Sequence, residues 1–227
     1  DLEKVGLVTK NQRGVIVDKF RDRIVFPIRS NNGKVIAFGG RIFNENKYKG
    51  FSPPKYLNSP QTLLYDKGST VYGLYESKDA IKEKDLAIIV EGYLDVISSH
   101  QAGVKNVVAT SGTALTQNQI LLLSRYTKNI AFCFDNDIAG QNAMFRTLEI
   151  AGEDINIKAI VIKDAKDPDE LIKKEKSLWE EAAKNPVDLI KLLYELIFKK
   201  YNEGKGSEDK KKITEEFLPI IKKIRNE

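Results

Sequence analysis

The sequence predicts an α/β fold: a mostly parallel sheet flanked by helices, preceded by a basic β-rich part and followed by a helical C-terminal part. Three observations carry this. From residue 86 short β-rich runs alternate with helical patterns about every 25 residues, as parallel strands joined by right-handed helical crossovers require. Three of the four runs end in acidic residues. The charge is also uneven: +6 over residues 1–80, −2 over 81–167 and +1 over 168–227, within a total of +5. Three parts follow: a basic front (1–80), the alternating domain (81–167) and a helical end (168–227).

In the front, "RDRIVFPIRSNNGKVIAFGGRIF" places β-rich runs on either side of Ser30-Asn31-Asn32-Gly33, and the Asn-Gly pair predicts a hairpin turn. Arg21, Arg23, Arg29 and Arg41 flank those strands, and Gly39-Gly40 would admit a backbone or a phosphate at close range. "SPPKYLNSP" reads as a Pro-bounded loop carrying Lys55, Tyr56 and Asn58, with Lys67 beyond it. Basic groups with one aromatic on a loop suit contact with a nucleotide or nucleic acid, although Tyr56 alone would equally serve packing.

The alternating part reads as four units. "LAIIVEG" is a strand, and "YLDVISSHQAG" a helix closed by Gly103. "KNVVATSG" is the next strand, followed by "TQNQILLLSRY", where Thr116 and Gln119 have capping-box spacing. "NIAFCFDND" leads to "AGQNAMFRTLEIAG", with Gly152 at its end, and "IKAIVIKD" leads to "DPDELIKKE". Beyond residue 176, "PVDLIKLLYELIFKKY" predicts a helix opened by Asn185-Pro186, with Leu189, Leu192, Leu193, Leu196 and Ile197 on one face. "KKKITEEFLPIIKKI" predicts a last amphipathic stretch kinked or broken near Pro219, and Lys210 to Lys212 a solvated face.

Composition narrows the function classes. The 227 residues contain one cysteine and one histidine, which excludes a disulfide framework and a thiolate zinc site. Cys133, inside an apolar run, reads as a small buried hydrophobe. No stretch is apolar over the length of a membrane span and the first residues lack a signal-peptide pattern, so a cytoplasmic protein with no membrane partner is expected. His100, in a helix away from the acidic strand ends, is expected at the surface.

The acids carry the chemistry. If residues 132–137 begin as a strand, Asp135 and Asp137 point to one side and repel by about 3 kcal/mol at an effective dielectric of 20. A hard divalent cation answers that repulsion; so would an exposed turn ending the strand. A turn explains one acidic end, but Glu91 after "LAIIV" and Asp164, Asp167 and Asp169 after "KAIVIK" repeat the pattern where parallel sheets bind ligands.

"IIVEGYLDVI", "FDNDIAG" and "KDPDEL", in this order, resemble the Toprim fold of bacterial DNA primases of the DnaG type. "FRDRIVFPIR", "VIAFGGR", "PKYLNSPQT", "KGSTVYGLYE" and "VVATSGTALT" are similar to stretches of that family's RNA polymerase domain, so the likeness runs from about residue 18 to 175. It implies Glu91 as a catalytic metal ligand or general base and Asp135 and Asp137 as the metal pair. Asp167 and Asp169 match further metal-holding acids, although Asp167 before Pro168 is also a natural helix cap. Asp95 matches an acid that braces the site. Arg41, Lys55, Tyr56, Asn58 and Lys67 match residues that hold template or nucleotide, and Arg21 and Arg23 lie in a matching basic stretch in which Asp22 could pair with either.

The implied activity is RNA primer synthesis on a single-stranded DNA template from ribonucleoside triphosphates, with Mg²⁺ or Mn²⁺ as cofactor. A replicative helicase is implied as a partner through a region absent here. The family usually has Asp-Gly-Asp where this chain has Asp135-Asn136-Asp137; Asn tolerates a left-handed backbone better than most residues. The family's zinc-binding module and most of its basic amino-terminal subdomain are also missing, as expected of a fragment or a short variant. Rival readings are a Toprim nuclease or topoisomerase using the same acids, and a nucleotide-binding or nucleic-acid-binding fragment without activity.

Overall fold

The computed structural model describes residues 1–44, 53–112, 114–134, 146–148, 150–152, 154–162, 165–201 and 205–224. Its centre is a five-stranded sheet of β6 (Ala87–Val90), β7 (Val107–Ala109), β8 (Asn129–Phe134), β9 (Asn156–Val161) and β10 (Val187–Asp188), in the order β10-β9-β8-β6-β7. β6, β7, β8 and β9 run parallel, as expected, and β10 is an antiparallel edge. Alternate residues of β6 face opposite cores. Ala87 and Ile89 meet α1 (Leu74–Lys84), α3 (Gln117–Leu123), α6 (Leu189–Lys200) and α7 (Ser207–Ile224). Ile88 and Val90 meet α2 (Tyr93–Gln101), α4 (Pro168–Lys174) and α5 (Lys176–Lys184), around the wholly buried Trp179. With both faces covered, every residue of β6 and β7 is buried, which is why these strands read as unbroken apolar runs.

The caps are largely as read. Thr116 Oγ1 accepts from Gln119 N at 3.2 Å and Gln119 Oε1 from Thr116 N at 3.1 Å, the reciprocal pair that the spacing predicts. Gly103 and Gly152 take positive φ, +91° and +75°, just after helical residues.

In front stands a three-stranded antiparallel sheet, β3 (Arg23–Arg29), β4 (Val35–Ile42) and β5 (Tyr56–Asn58). The predicted hairpin joins β3 to β4, with Gly33 at φ +82° in its turn. A smaller hairpin pairs β1 (Val8–Lys10) with β2 (Ile16–Asp18). One face of the front sheet, through Phe26, Ile28 and Ala37, packs on Tyr65 and on Tyr93 of α2, a third core of its own.

Five expectations need correction. "KYLN" is an edge strand, because Tyr56, Leu57 and Asn58 pair with Arg41, Gly40 and Gly39. Val187 and Asp188 join β9 instead of a helix; Asp188 is the helix cap, its carboxylate accepting from Lys191 N at 2.9 Å. On α6 only Leu189, Leu193 and Ile197 are buried, and Leu196 faces solvent. α7 runs through Pro219 as one helix, the lost backbone bond being offset by Ile213, Phe217 and Ile220 packing on the core. His100 is part-buried, with Nε2 2.9 Å from the Val107 carbonyl and 3.2 Å from Ser77 Oγ. A carbonyl only accepts, so Nε2 carries the proton, and burial holds the ring's pKa below its ordinary value.

Candidate active site

The order β9-β8-β6-β7 reverses direction at β6, since the chain goes from β6 to β7 on one side and then returns to β8 on the other. Parallel sheets open a crevice at such a point, beyond the carboxyl ends of the strands. Glu91 follows the last residue of β6 and is exposed there. Asp135 and Asp137 follow the last residue of the neighbouring β8 in sequence and, like Asp164, lie outside the described residues.

Around Glu91 the acids are tied together. Asp95, in the first turn of α2, is buried; its Oδ2 accepts from Gly92 N at 2.9 Å and its Oδ1 from Asp169 N across a long 3.4 Å. Gly92 permits this approach, because a Cβ there would lie 2.9 Å from Asp95 Oδ2. Burial, and then the Asp167 charge, push the Asp95 carboxyl up to about 6, against the two backbone donors. Asp169 accepts from Ser98 Oγ at 2.5 Å and from Lys173 Nζ at 2.6 Å. Burial alone would raise its pKa; those two donors outweigh it and hold the carboxyl below the usual range. Asp167 caps α4, its Oδ1 accepting from Glu170 N at 2.8 Å, so the capping reading is realised.

Opposite these acids lies the edge of the front sheet. Arg41 and Tyr56 are directly paired across β4 and β5, and the guanidinium sits 5.9 Å from the ring centroid. Tyr56 is 39% exposed, with that cation over its ring. Both side chains, with Lys55, Glu91, Asp95 and Asp169, line one cleft of about 480 Å³. Among the described residues no group of three or more acidic, His or Cys side chains is placed to hold a metal ion. The carboxylates of Glu91, Asp167 and Asp169 in that lining are donors a hard divalent cation takes, beside the sulfur of Cys133.

Residues 1–78 match the family described as "DNA primase catalytic core, N-terminal domain", and residues 88–172 the family described as "Toprim-like". The DNA primase of Pasteurella multocida is 38% identical over 225 residues, 97% of this chain and 38% of that protein. The crystal structure of a DNA primase domain from Pseudomonas aeruginosa aligns with a TM-score of 0.83 at 34% identity, over 98% of this chain and 70% of that one. The chain belongs to the DnaG primase family. A DnaG primase catalytic domain solved bound to ssDNA aligns with a TM-score of 0.81 at 34% identity, over 98% of this chain and 71% of that one. The chain spans under two fifths of the length of the curated relatives it matches first. Its Toprim-like part implies use of a divalent metal ion in general.

Within this DnaG-family core the expected residues fall into two groups. Glu91, Asp95, Asp167, Asp169, Arg41, Lys55 and Tyr56 come together at the cleft. The other basic and amide groups are placed differently. Arg23 spends its guanidinium on main-chain carbonyls, those of Pro54 at 2.8 Å, Gly40 at 3.1 Å and Lys55 at 3.3 Å, and so pins the loop before β5. Arg21 is exposed ahead of β3. Lys67 lies near Lys19, whose pKa is lowered by burial and then by the Lys67 charge, and Gln119 Nε2 donates to the Lys67 carbonyl. Asn58 bonds to Ser111 and Tyr93 within the protein. Ser98, Ser111 and Lys173 are the site residues that sequence reasoning missed. A lone serine or lysine has no signal of its own, and only the i,i+4 spacing of Asp169 and Lys173 could have pointed to a pair.

Proposed function

We propose that this chain is the catalytic core of a primase that makes RNA primers on single-stranded DNA, by nucleotidyl transfer dependent on Mg²⁺ or Mn²⁺. One observation carries it: in a DnaG-family chain, an acid-lined crevice at the switch point of a parallel sheet faces an exposed Tyr56–Arg41 pair across one cleft. The complex of a similar catalytic domain with ssDNA supports the template.

Glu91, Asp135 and Asp137 would hold the ion, with Asp167 and Asp169 beside them. The ion supplies Lewis acidity and orientation at the triphosphate when bound. The 3′-oxygen of the growing strand would form a bond to the α-phosphorus as the bond to pyrophosphate breaks, its hydroxyl proton passing to Glu91 or to solvent. Arg41 and Lys55 hold phosphates by charge, Tyr56 offers a stacking face to a base, and Arg21 and Lys67 extend the basic surface. Asp95 fixes Gly92 against α4 and so holds the Glu91 turn in place. Residues 1–80 then act as the basic, polymer-facing part, 81–167 as the Toprim domain and 168–227 as helical support. A replicative helicase as partner and a cytoplasmic location follow from the same reading; among the described residues no helix is long and apolar enough to cross a membrane.

Incubation with single-stranded DNA, labelled ribonucleotides and Mg²⁺ or Mn²⁺ tests the reading. RNA made by the wild type and lost in Glu91→Gln and Asp135→Asn supports it. Breakdown of DNA or RNA would point instead to a Toprim nuclease, and binding without synthesis to an inactive fragment.

A further inference from the structure

Both ends of the Asn58 amide are committed inside the protein. Nδ2 donates to the Ser111 carbonyl at 2.9 Å, and Oδ1 accepts from the Tyr93 hydroxyl at 2.9 Å. Those partners lead back to one place. Ser111 N donates to the Glu91 carbonyl at 3.2 Å, and Tyr93 lies two residues after Glu91 at the start of α2. The hydrogen bonds and the chain thus close a ring through Glu91, Ser111, Asn58 and Tyr93.

The ring is held firmly at each corner. Asn58 pairs with Gly39 on β4, and the Tyr93 side chain lies so close over Gly39 that a Cβ there would be 2.4 Å from Tyr93 Cζ. Tyr93 also stacks on Phe26 with centroids 5.1 Å apart and meets Tyr72 edge-on at 4.6 Å. A hydroxyl on so buried a ring needs a partner, and Asn58 is one. Ser111 sits at φ +58°, a left-handed conformation costly for a side-chain residue, while its N–H and C=O both serve the ring.

We propose that Asn58, Tyr93 and Ser111 form a bracket that sets the spacing between the Arg41–Tyr56 surface and Glu91, so that Asn58 acts in nucleotidyl transfer as a positioning residue and not as a contact to nucleotide or template. This rests on the primase reading. Tyr56, two residues from Asn58 on the same strand, carries the spacing to the cleft.

The test is a double-mutant cycle of Asn58→Ala and Tyr93→Phe in steady-state primer synthesis. The bracket predicts that each variant lowers kcat about three- to tenfold, the worth of one neutral hydrogen bond. It also predicts that KM for ribonucleotides moves by no more than about twofold and that the double variant falls no further than the worse single one. A raised KM in Asn58→Ala with Tyr93→Phe silent, or losses that multiply in the double variant, would overturn it. Should Asn58→Ala not fold, Asn58→Asp replaces it, keeping the acceptor for Tyr93 and losing the donor to Ser111. Amide hydrogen exchange on the same proteins needs no activity. Faster exchange in both variants over residues 56–59 and 107–112 supports the bracket, and unchanged exchange in either variant overturns it. If the wild type makes no RNA, the functional reading falls and exchange alone decides the bracket.

Discussion

The two sheets of this protein solve burial in opposite ways. In the rear sheet β6 and β7 are buried on both faces, and solvent meets the sheet's chemistry where strands end, at Glu91. In the front sheet Phe26, Ile28 and Ala37 are buried on the face turned to Tyr93, while Val25 on the outer face, and Ile24 and Val35 at the strand ends, are exposed. A fully buried sheet can hold charged groups in fixed positions at its rim, because no other place on it tolerates them. Near the open β5 edge of that front sheet Arg41, Lys55 and Tyr56 line the cleft. On the proposed function, rigid placement of the acids falls to the rear and contact with a long polyanion to the front.

That division is broken most sharply by Glu91→Gln, which should reduce primer synthesis about a hundredfold or more with little change in thermal unfolding. Ile88→Ala, inside the rear sheet, should cost about 2–5 kcal/mol in urea unfolding. Asp95 gives a pH signature. Its folded pKa of about 6 lies above the ordinary carboxylate value, so the folded state binds the extra proton, and stability is lost as pH rises from about 4 through 6. In chelator, urea unfolding at pH 4.5 and 7.5 should show Asp95→Asn losing less stability than the wild type over that range, by an amount on the order of 2 kcal/mol.

A smaller effect of the other sign belongs to His100. Its pKa is depressed, so its contribution is present above the ordinary histidine value and lost as pH falls from there through the lowered folded one, and His100→Gln should lessen that loss. Smallest of all, Val25→Ala on the open face of the front sheet should change stability by no more than about 0.5 kcal/mol. A large loss there would mean that this face is covered.

How much of this the residues announced depends on whether the cause is local. The four parallel strands, the Thr116–Gln119 box and the Asn-Gly hairpin each follow from a short-range pattern and stand where read. β5 and β10 were not legible, because three and two residues become strands only through a partner far along the chain, Arg41 for Tyr56 and Ala159 for Val187. At the site, ordered motifs brought Glu91, Asp95, Asp167 and Asp169 to attention, but the use made of each group came from tertiary contacts. Arg23 read as part of a basic stretch facing template or nucleotide, and its guanidinium donates to main-chain carbonyls. His100 looked like a surface residue and bonds to Val107 from the next strand.

Anomalous diffraction from crystals soaked in manganese addresses the central claim without relying on turnover. A manganese peak within about 2.5 Å of the Glu91 carboxylate, shared with Asp135 or Asp137, is the predicted result. A soak that fills other sites and leaves Glu91 without a metal would contradict the account.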